Sequence, residues 1–407
     1  MTELITIDNN EIPKKITVSS GGATLPLAHS IQKRIIVSLS DNEGKTIRHA
    51  TKWLSYLSNA IGKSVSKKTV EQYGRSLKYF CSWLESTRRY PNLTLDEAIE
   101  IASREDILEW HEYYLSVKGT KTSTLHSREA ALKSFLSWLT SNEGGRVRRS
   151  CDSPWGRSGD LDYVVKKGNK KSPKLITSVH IVQLLSSMHN ECERCMFHTQ
   201  YDTGLRISEL VNLKRSDLPP ESMLQSDVVE FFPLYIKGAK GRGGSDKERI
   251  TIVSRAVLNR IRRYHSSPEY KLAEAWKIND PNKPAFLTAN RKPWSARNAS
   301  KQFKSAVSRS GVGDSFSTHW MRHGTAFSIL GSDIGKDYED RMLTIQKMLG
   351  HAHLGTTEIY TQISPALLGK LTKEGKRQNR LHEAEDIRKA TYLPPLKHKE
   401  KRGHRDV

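Results

Sequence analysis

Six side chains in the second half of this 407-residue sequence could together act on an anion: Arg206, Lys240, His319, Arg322, His351 and Tyr360. A guanidinium stays charged at any working pH and offers a fork of donors that fits two oxygens at once, which an ammonium does not. His319 and Arg322 stand three apart, so on a helix they share a side and can hold one anion between them. A tyrosine hydroxyl titrates near pH ~10 and is a poor nucleophile unless it loses its proton as it attacks. Were its target a phosphodiester, the five-coordinate phosphorus would gather negative charge and need fixed positive donors around it. Taken singly, each residue has an ordinary reading. A chain with 66 Lys and Arg and 14 Tyr places many of them in solvated or packed positions.

Such a set needs a scaffold, and the apolar pattern supplies two. From Lys45 apolar residues recur three or four apart, first Ile47, Ala50, Leu54, Leu57 and Ile61, then Val70, Tyr73, Leu77, Phe80 and Leu84 after a Ser66 start. A third helix opens at Ser103, with Asp106 as its capping-box partner, and runs through Ile107, Trp110 and Tyr114. A fourth carries Leu125, Leu132, Phe135, Leu136 and Leu139 and stops before Gly144-Gly145. The echo of Phe80-Cys81-Ser82-Trp83-Leu84 in Phe135-Leu136-Ser137-Trp138-Leu139 predicts two helices that each bury a tryptophan. The first scaffold is therefore an all-α domain over residues 45–148, with 1–44 as an N-terminal extension.

Residues 149–175 read as a basic linker holding Lys166, Lys167, Lys170 and Lys171, either a solvated connector or a strap that lies along a polyanion. Residues 176–385 read as a mixed α+β domain, mainly helical with a small antiparallel sheet. Its strands are the runs Val228–Ile236 and Arg249–Val253, and Pro233 confines the first to an edge. Helices are expected near 179–200, 207–213, 255–276, 295–310, 319–330 and 342–349, with shorter ones from Thr356 and Pro365. Between the strands, four glycines with Lys237, Lys240 and Arg242 predict a flexible basic hairpin tip. Residues 386–407 have the composition of a disordered basic tail.

The net charge of +22 points to a polyanionic partner, with nucleic acid ahead of an anionic membrane surface. No run approaches the roughly 18 apolar residues of a membrane-spanning helix, and the mean hydropathy is −0.60. The first ten residues carry acids where a secretory signal needs basic ones, so the expected location is cytoplasmic and nucleoid-associated. Four cysteines form no disulfide framework. Cys192 and Cys195 make a CxxC with His198 beyond, but no second ligand pair stands nearby, so buried thiols on a helix are preferred to zinc or redox chemistry. The acids Asp333, Asp337, Glu339 and Asp340 read as a solvated face rather than a two-metal site, and no Walker loop or HExxH occurs.

The wording around the six residues resembles the tyrosine recombinase, or phage integrase, family. Three phrases carry the likeness: Thr203-Gly204-Leu205-Arg206-Ile207-Ser208-Glu209-Leu210, His319-Trp320-Met321-Arg322-His323, and Leu349-Gly350-His351 followed by Thr356-Thr357-Glu358-Ile359-Tyr360-Thr361. The likeness spans about 175–375, and residues 45–145 fit the family's core-DNA-binding domain by pattern and position. It implies that Arg206 and Arg322 clamp the scissile phosphate, that His319 and His351 hydrogen-bond it and manage protons, that Lys240 protonates the leaving 5′ oxygen, and that Tyr360 takes the 3′ phosphate. A covalent phosphotyrosine conserves the energy of the broken bond, so no cofactor, ATP or metal is implied. The hairpin loop is longer than the family's short turn, which keeps Lys247 open as an alternative to Lys240. The stretch between Arg322 and His351 is also long, and Gln362 stands where many members have His.

The partners implied are double-stranded DNA, gripped by the two domains as a basic clamp, and three further protomers in a tetramer on two sites. An accessory DNA-bending protein is compatible with this scheme. Lys67, Lys68, Arg75, Lys121, Arg128 and the four linker lysines are candidate DNA contacts. The extension, linker and tail favour a mobile-element or phage integrase over a chromosome-dimer resolvase. A catalytically silent DNA-binding relative would lack a catalytic position, and here all six are filled.

Overall fold

A computed structural model of the chain describes residues 2–7, 15–17, 24–26, 36–59, 65–156, 162–164, 176–224, 228–240, 246–277, 279–313, 316–350 and 379–394. The chain divides into two structural units that part between Lys170 and Lys171. Among the described residues no helix is long and apolar enough to cross a membrane.

The first unit is built on the expected stripes. In sequence its elements are β1 (Glu3–Ile7), β2 (Lys15–Thr17), β3 (Thr24–Pro26), β4 (Ile36–Ser40), α1 (Arg48–Asn59), α2 (Lys67–Thr87), α3 (Leu95–Ile101), α4 (Arg104–Glu112) and α5 (Thr122–Trp138). Ser66 caps α2 by accepting from the Thr69 N–H, and Ser103 with Asp106 forms the capping box of α4. Trp53, Phe80, Trp83, Trp110, Phe135 and Trp138 are buried together in one core. Ile61 lies outside the described residues.

Two boundaries of this unit differ from the sequence expectation. Part of the supposed extension 1–44 is built into the domain: β1 pairs antiparallel with β4, from Glu3 opposite Ser40 to Ile7 opposite Ile36, and Val37 and Leu39 are fully buried in the helical core. Gly74 on α2 makes room for this ribbon, because a Cβ there would lie 2.7 Å from Leu4 Cδ1 and 3.3 Å from Val37 Cγ1. The linker 149–175 likewise begins as packed structure. Trp155 is buried and donates to Glu129 Oε1 at 2.9 Å, and the Val164 N–H donates to the same oxygen at 2.7 Å. Arg148 is buried and donates to the carbonyls of Ile99, Glu100, Ala102 and Asp152, closing the end of α3. Local composition marked a linker there; a tryptophan and two fastened charges overrode it.

The second unit contains α6 (Ser178–Ser186), α7 (Glu191–Thr203), α8 (Ile207–Asn212), β5 (Phe231–Lys240), β6 (Asp246–Ser254), α9 (Arg255–His265), α10 (Pro268–Lys271), α11 (Ala296–Ser310), α12 (Thr318–Gly331), α13 (Tyr338–Leu349) and α14 (Arg380–Thr391). The small antiparallel sheet is the β5–β6 hairpin, with Phe232, Leu234, Ile236, Thr251 and Val253 turned to the core and Tyr235 and Ile250 exposed.

The single helix expected near 179–200 is broken between α6 and α7, where Arg194 wraps the turn by donating to Ser186 and Met188 carbonyls. That expected over 255–276 breaks at Ser267-Pro268, since proline cannot donate in a helix interior but suits a first turn. The supposed tail boundary at 385/386 falls inside α14, whose Ile387 and Thr391 are buried and whose Arg380 contacts Asp202, so the folded domain runs to at least residue 394. Cys192, Cys195 and His198 are all buried on α7. The acidic stretch does capping work: Asp337 accepts from the Asp340 N–H at the start of α13, and Asp333 accepts from Asn379 and the Arg380 N–H. The helices expected from Thr356 and Pro365, and residues 395–407, lie outside the described residues.

Candidate active site

Arg206 sits at a chain reversal that glycine makes possible. Helix α7 ends at Gly204, whose φ of +66° is left-handed, and a Cβ there would stand 2.5 Å from Leu349 Cδ2 and 3.3 Å from Thr325 Cγ2. The turn is tied down by Gln200 donating to the Leu205 carbonyl and by Thr325 donating to the Tyr201 carbonyl at 2.6 Å. Arg206 then caps α8, and Glu209 reaches back to accept from the Arg206 N–H at 2.8 Å and from its Nη1 at 2.7 Å.

Arg322, on α12, is 2% exposed. Its Nη1 donates to the Gly204 carbonyl at 2.7 Å and its Nη2 to the Leu349 carbonyl, so one guanidinium joins the turn before Arg206 to the end of α13. Gly350, at φ +61°, closes α13 just ahead of His351. His319 lies one turn before Arg322 and reaches the surface. Even so, the protein around its ring penalises the charged form, and the Arg322 and Arg206 charges add to this, so its pKa falls below the ordinary value. His323 packs edge-on to it with ring centres 4.7 Å apart, and burial with the His319 and Arg322 charges lowers its pKa to about 4. The charges of Arg206 and Arg322, 116 positions apart in sequence, therefore both reach the His319 ring.

Two residues of this site carried no role in the sequence reading. Glu209 is nearly buried, and Arg249 from β6 donates to its Oε2 at 2.7 Å and to the Met348 carbonyl. Burial pushes the Glu209 carboxyl up, but hydrogen bonds and charge from Arg249 and Arg206 outweigh it and hold the group below its usual range. Glu209 supplies the acid half of a capping box, but an arginine side chain cannot accept as the other half, so the sequence did not signal the pair, and nothing local announces Arg249.

Lys240 is the last residue of β5, opposite Asp246, and Lys247 stands opposite Ala239 after an irregularity between Ile236 and Ala239. The hairpin tip 241–245 lies outside the described residues, as do His351, Tyr360 and Gln362. Of the candidate DNA contacts, Lys67, Lys68, Arg75 and Lys121 are exposed on the first unit, and Lys166, Lys167, Lys170 and Lys171 fall outside the description. Arg128 departs from expectation. Its guanidinium lies 3.5 Å from the Tyr79 ring centre and 5.2 Å from that of Tyr114, and its Nη1 is buried, so it is a packing cation rather than a solvated one.

Residues 174–366 match the phage integrase family, and residues 50–143 match the N-terminal SAM-like domain of phage integrases. The tyrosine recombinase XerD of Listeria innocua is 25% identical over 319 residues, covering 77% of this chain and 94% of the relative. The tyrosine recombinase XerC of Lactobacillus delbrueckii subsp. bulgaricus is 27% identical over 320 residues, covering 77% and 93%. Among solved structures, residues 82–397 of the Tn1549 transposon integrase, in complex with circular intermediate DNA, superpose with a TM-score of 0.56 at 18% identity, covering 77% of this chain and 94% of that one. A λ integrase dimer bound to a COC′ core site gives 0.51 at 15% identity, covering 80% and 96%.

The two-domain plan, a helical SAM-like unit followed by a mainly helical catalytic unit with one small antiparallel sheet, is that of the integrases. The chain belongs to the tyrosine recombinase (phage integrase) family and is a tyrosine-type site-specific DNA recombinase.

Proposed function

We propose that this recombinase cuts and rejoins duplex DNA through a covalent 3′-phosphotyrosine on Tyr360. The Tyr360 oxygen forms a bond to phosphorus as the bond to the 5′ oxygen breaks. The phenolic proton passes to His319 or His351, and the departing 5′ oxygen takes a proton from Lys240, with Lys247 as the alternative donor. Attack by a 5′ hydroxyl of the partner strand reverses these transfers and frees the tyrosine. Arg206 and Arg322 hold the phosphate oxygens as charge builds, and losing one such donor costs about 3 kcal/mol of barrier. Because the phosphodiester's energy is kept in the phosphotyrosine, the cycle needs neither ATP nor a metal ion.

The observation that carries this reading is Arg322 bridging the Gly204 and Leu349 carbonyls, which brings segments of all three motif phrases together. A tetramer on two DNA sites, exchanging strands in pairs, is the assembly we propose; a λ integrase relative is a tetramer bound to a Holliday junction. A mobile-element role is favoured by the length of this chain that the XerD and XerC relatives leave uncovered, since they span 77% of it. Chromosome-dimer resolution is the second reading, on the strength of relatives named XerD and XerC that align over 90% or more of their own length.

Nicked suicide duplexes tiled from DNA flanking the gene, incubated in EDTA and scored for SDS-resistant adducts, test the chemistry. Wild type forms an adduct at one site and Tyr360→Phe forms none while still binding that DNA. Binding lost in step with cleavage would remove Tyr360 from the nucleophile's role.

A further inference from the structure

Glu209 is one carboxylate set between two guanidiniums. Its Oε1 accepts from Arg206 Nη1, and its Oε2 accepts from both the Arg206 N–H and Arg249 Nη2, at 2.7–2.8 Å throughout. The Arg206 side chain is 35% exposed while those of Arg249 and Glu209 are 7% and 3% exposed, so the trio opens only on the Arg206 side. Arg249 is further fastened by its bond to the Met348 carbonyl and by Gly350, where an added Cβ would lie 2.7 Å from Arg249 Cδ. Its position is fixed by β6 and α13 and does not depend on Arg206.

We infer that Arg249 is a positioning residue that keeps Arg206 available to the scissile phosphate by taking half of Glu209. With Arg249 in place the trio carries a net charge of +1, and the Arg206 guanidinium meets Glu209 through a single Nη, the Arg206 main-chain N–H lying on the oxygen that Arg249 also holds. Without it, both carboxylate oxygens fall to Arg206, whose fork closes on them as a two-point pair, and the clamp loses one of its charges. Arg249 touches no reacting atom in this scheme; it acts through Glu209. The inference rests on the proposed role of Arg206.

The test is the single-turnover rate of adduct formation on the duplex identified by the suicide-substrate assay, with wild type and Tyr360→Phe alongside and DNA binding measured for each variant. Arg249→Met cleaves about 10- to 100-fold slower than wild type at unchanged binding. Adding Glu209→Gln to Arg249→Met removes the competing charge and makes cleavage several-fold faster than in Arg249→Met alone. A residue that only packs the hairpin would give a double variant as slow as, or slower than, the single one, and that result overturns the inference. If Arg249→Met does not fold, Arg249→Lys and Arg249→Gln decide: the cationic variant is the faster of the two, and equal rates overturn the inference. Absence of an adduct in wild type would instead remove the recombinase chemistry beneath it, and the inference with it.

Discussion

Glu129 in the helical unit and Glu209 in the catalytic unit are the same device put to different ends. Glu129 is fully buried; His111 Nε2 lies 3.1 Å from its Oε2, and the Trp155 indole and Val164 N–H share its Oε1. The partners named here are buried or half-buried, so the acid works as a fastener for the segment after α5. Glu209 is almost as deeply placed, yet one of its partners, Arg206, opens to solvent. A buried acid enclosed by its partners holds structure together. One that leaves a cation facing outward sets how much charge that cation presents.

The largest effect that sharpens this contrast is on stability. Glu129→Ala removes the acceptor of the buried Trp155 indole and of the half-buried Val164 N–H, and is expected to destabilise the helical unit by about 2–5 kcal/mol, at roughly 1–3 kcal/mol for each donor left unpaired. Denaturant unfolding followed by tryptophan fluorescence measures it. A change below about 1 kcal/mol would mean that the acid fastens nothing.

Gly204→Ala comes next. The left-handed backbone and the meeting with Leu349 together are expected to cost about 2–4 kcal/mol. The carbonyl that holds Arg322 shifts with them, so adduct formation falls even below the melting transition. A variant that melts early but cleaves normally while folded would separate the turn from the clamp.

The smallest effect concerns acid. His265 and His323 are each held down to about 4, His265 by burial, with Arg215 and Lys283 adding to it against the Ala285 carbonyl's opposing hydrogen bond. In the unfolded chain they titrate near ~6.5. Between these values the unfolded state binds protons that the folded state refuses, so stability is full above about pH 6.5 and is lost as pH falls toward 4. Unfolding midpoints across that window should decline in wild type and decline less in His265→Gln. Parallel slopes would remove His265 from the account.

The bundle was legible because its stripes are local: Val70, Leu77, Phe80 and Leu84 lie within one helix and all are buried. The β1–β4 ribbon was not, since Glu3 and Ser40 pair across 37 positions and the short alternation Val37-Ser38-Leu39-Ser40 does not say which segment it pairs with. Trp155 and Arg128 misled in opposite directions. The tryptophan stood in linker-like composition and proved buried, while the arginine looked solvated and proved stacked on Tyr79. At the site, Arg206, His319 and Arg322 stood in readable phrases, but Arg249 joins Glu209 from 40 positions away, and such a pairing exists only once the hairpin docks.

The bond from Arg322 to the Gly204 carbonyl spans 118 positions, and the one to Leu349 needs 27 more. At roughly 5–20 residues per second of synthesis, the first gap alone takes about 6–24 s to fill. A nascent chain therefore displays its basic helical unit well before Arg322 can join the Gly204 turn to the end of α13. The Arg322 bridge waits until synthesis has passed Leu349.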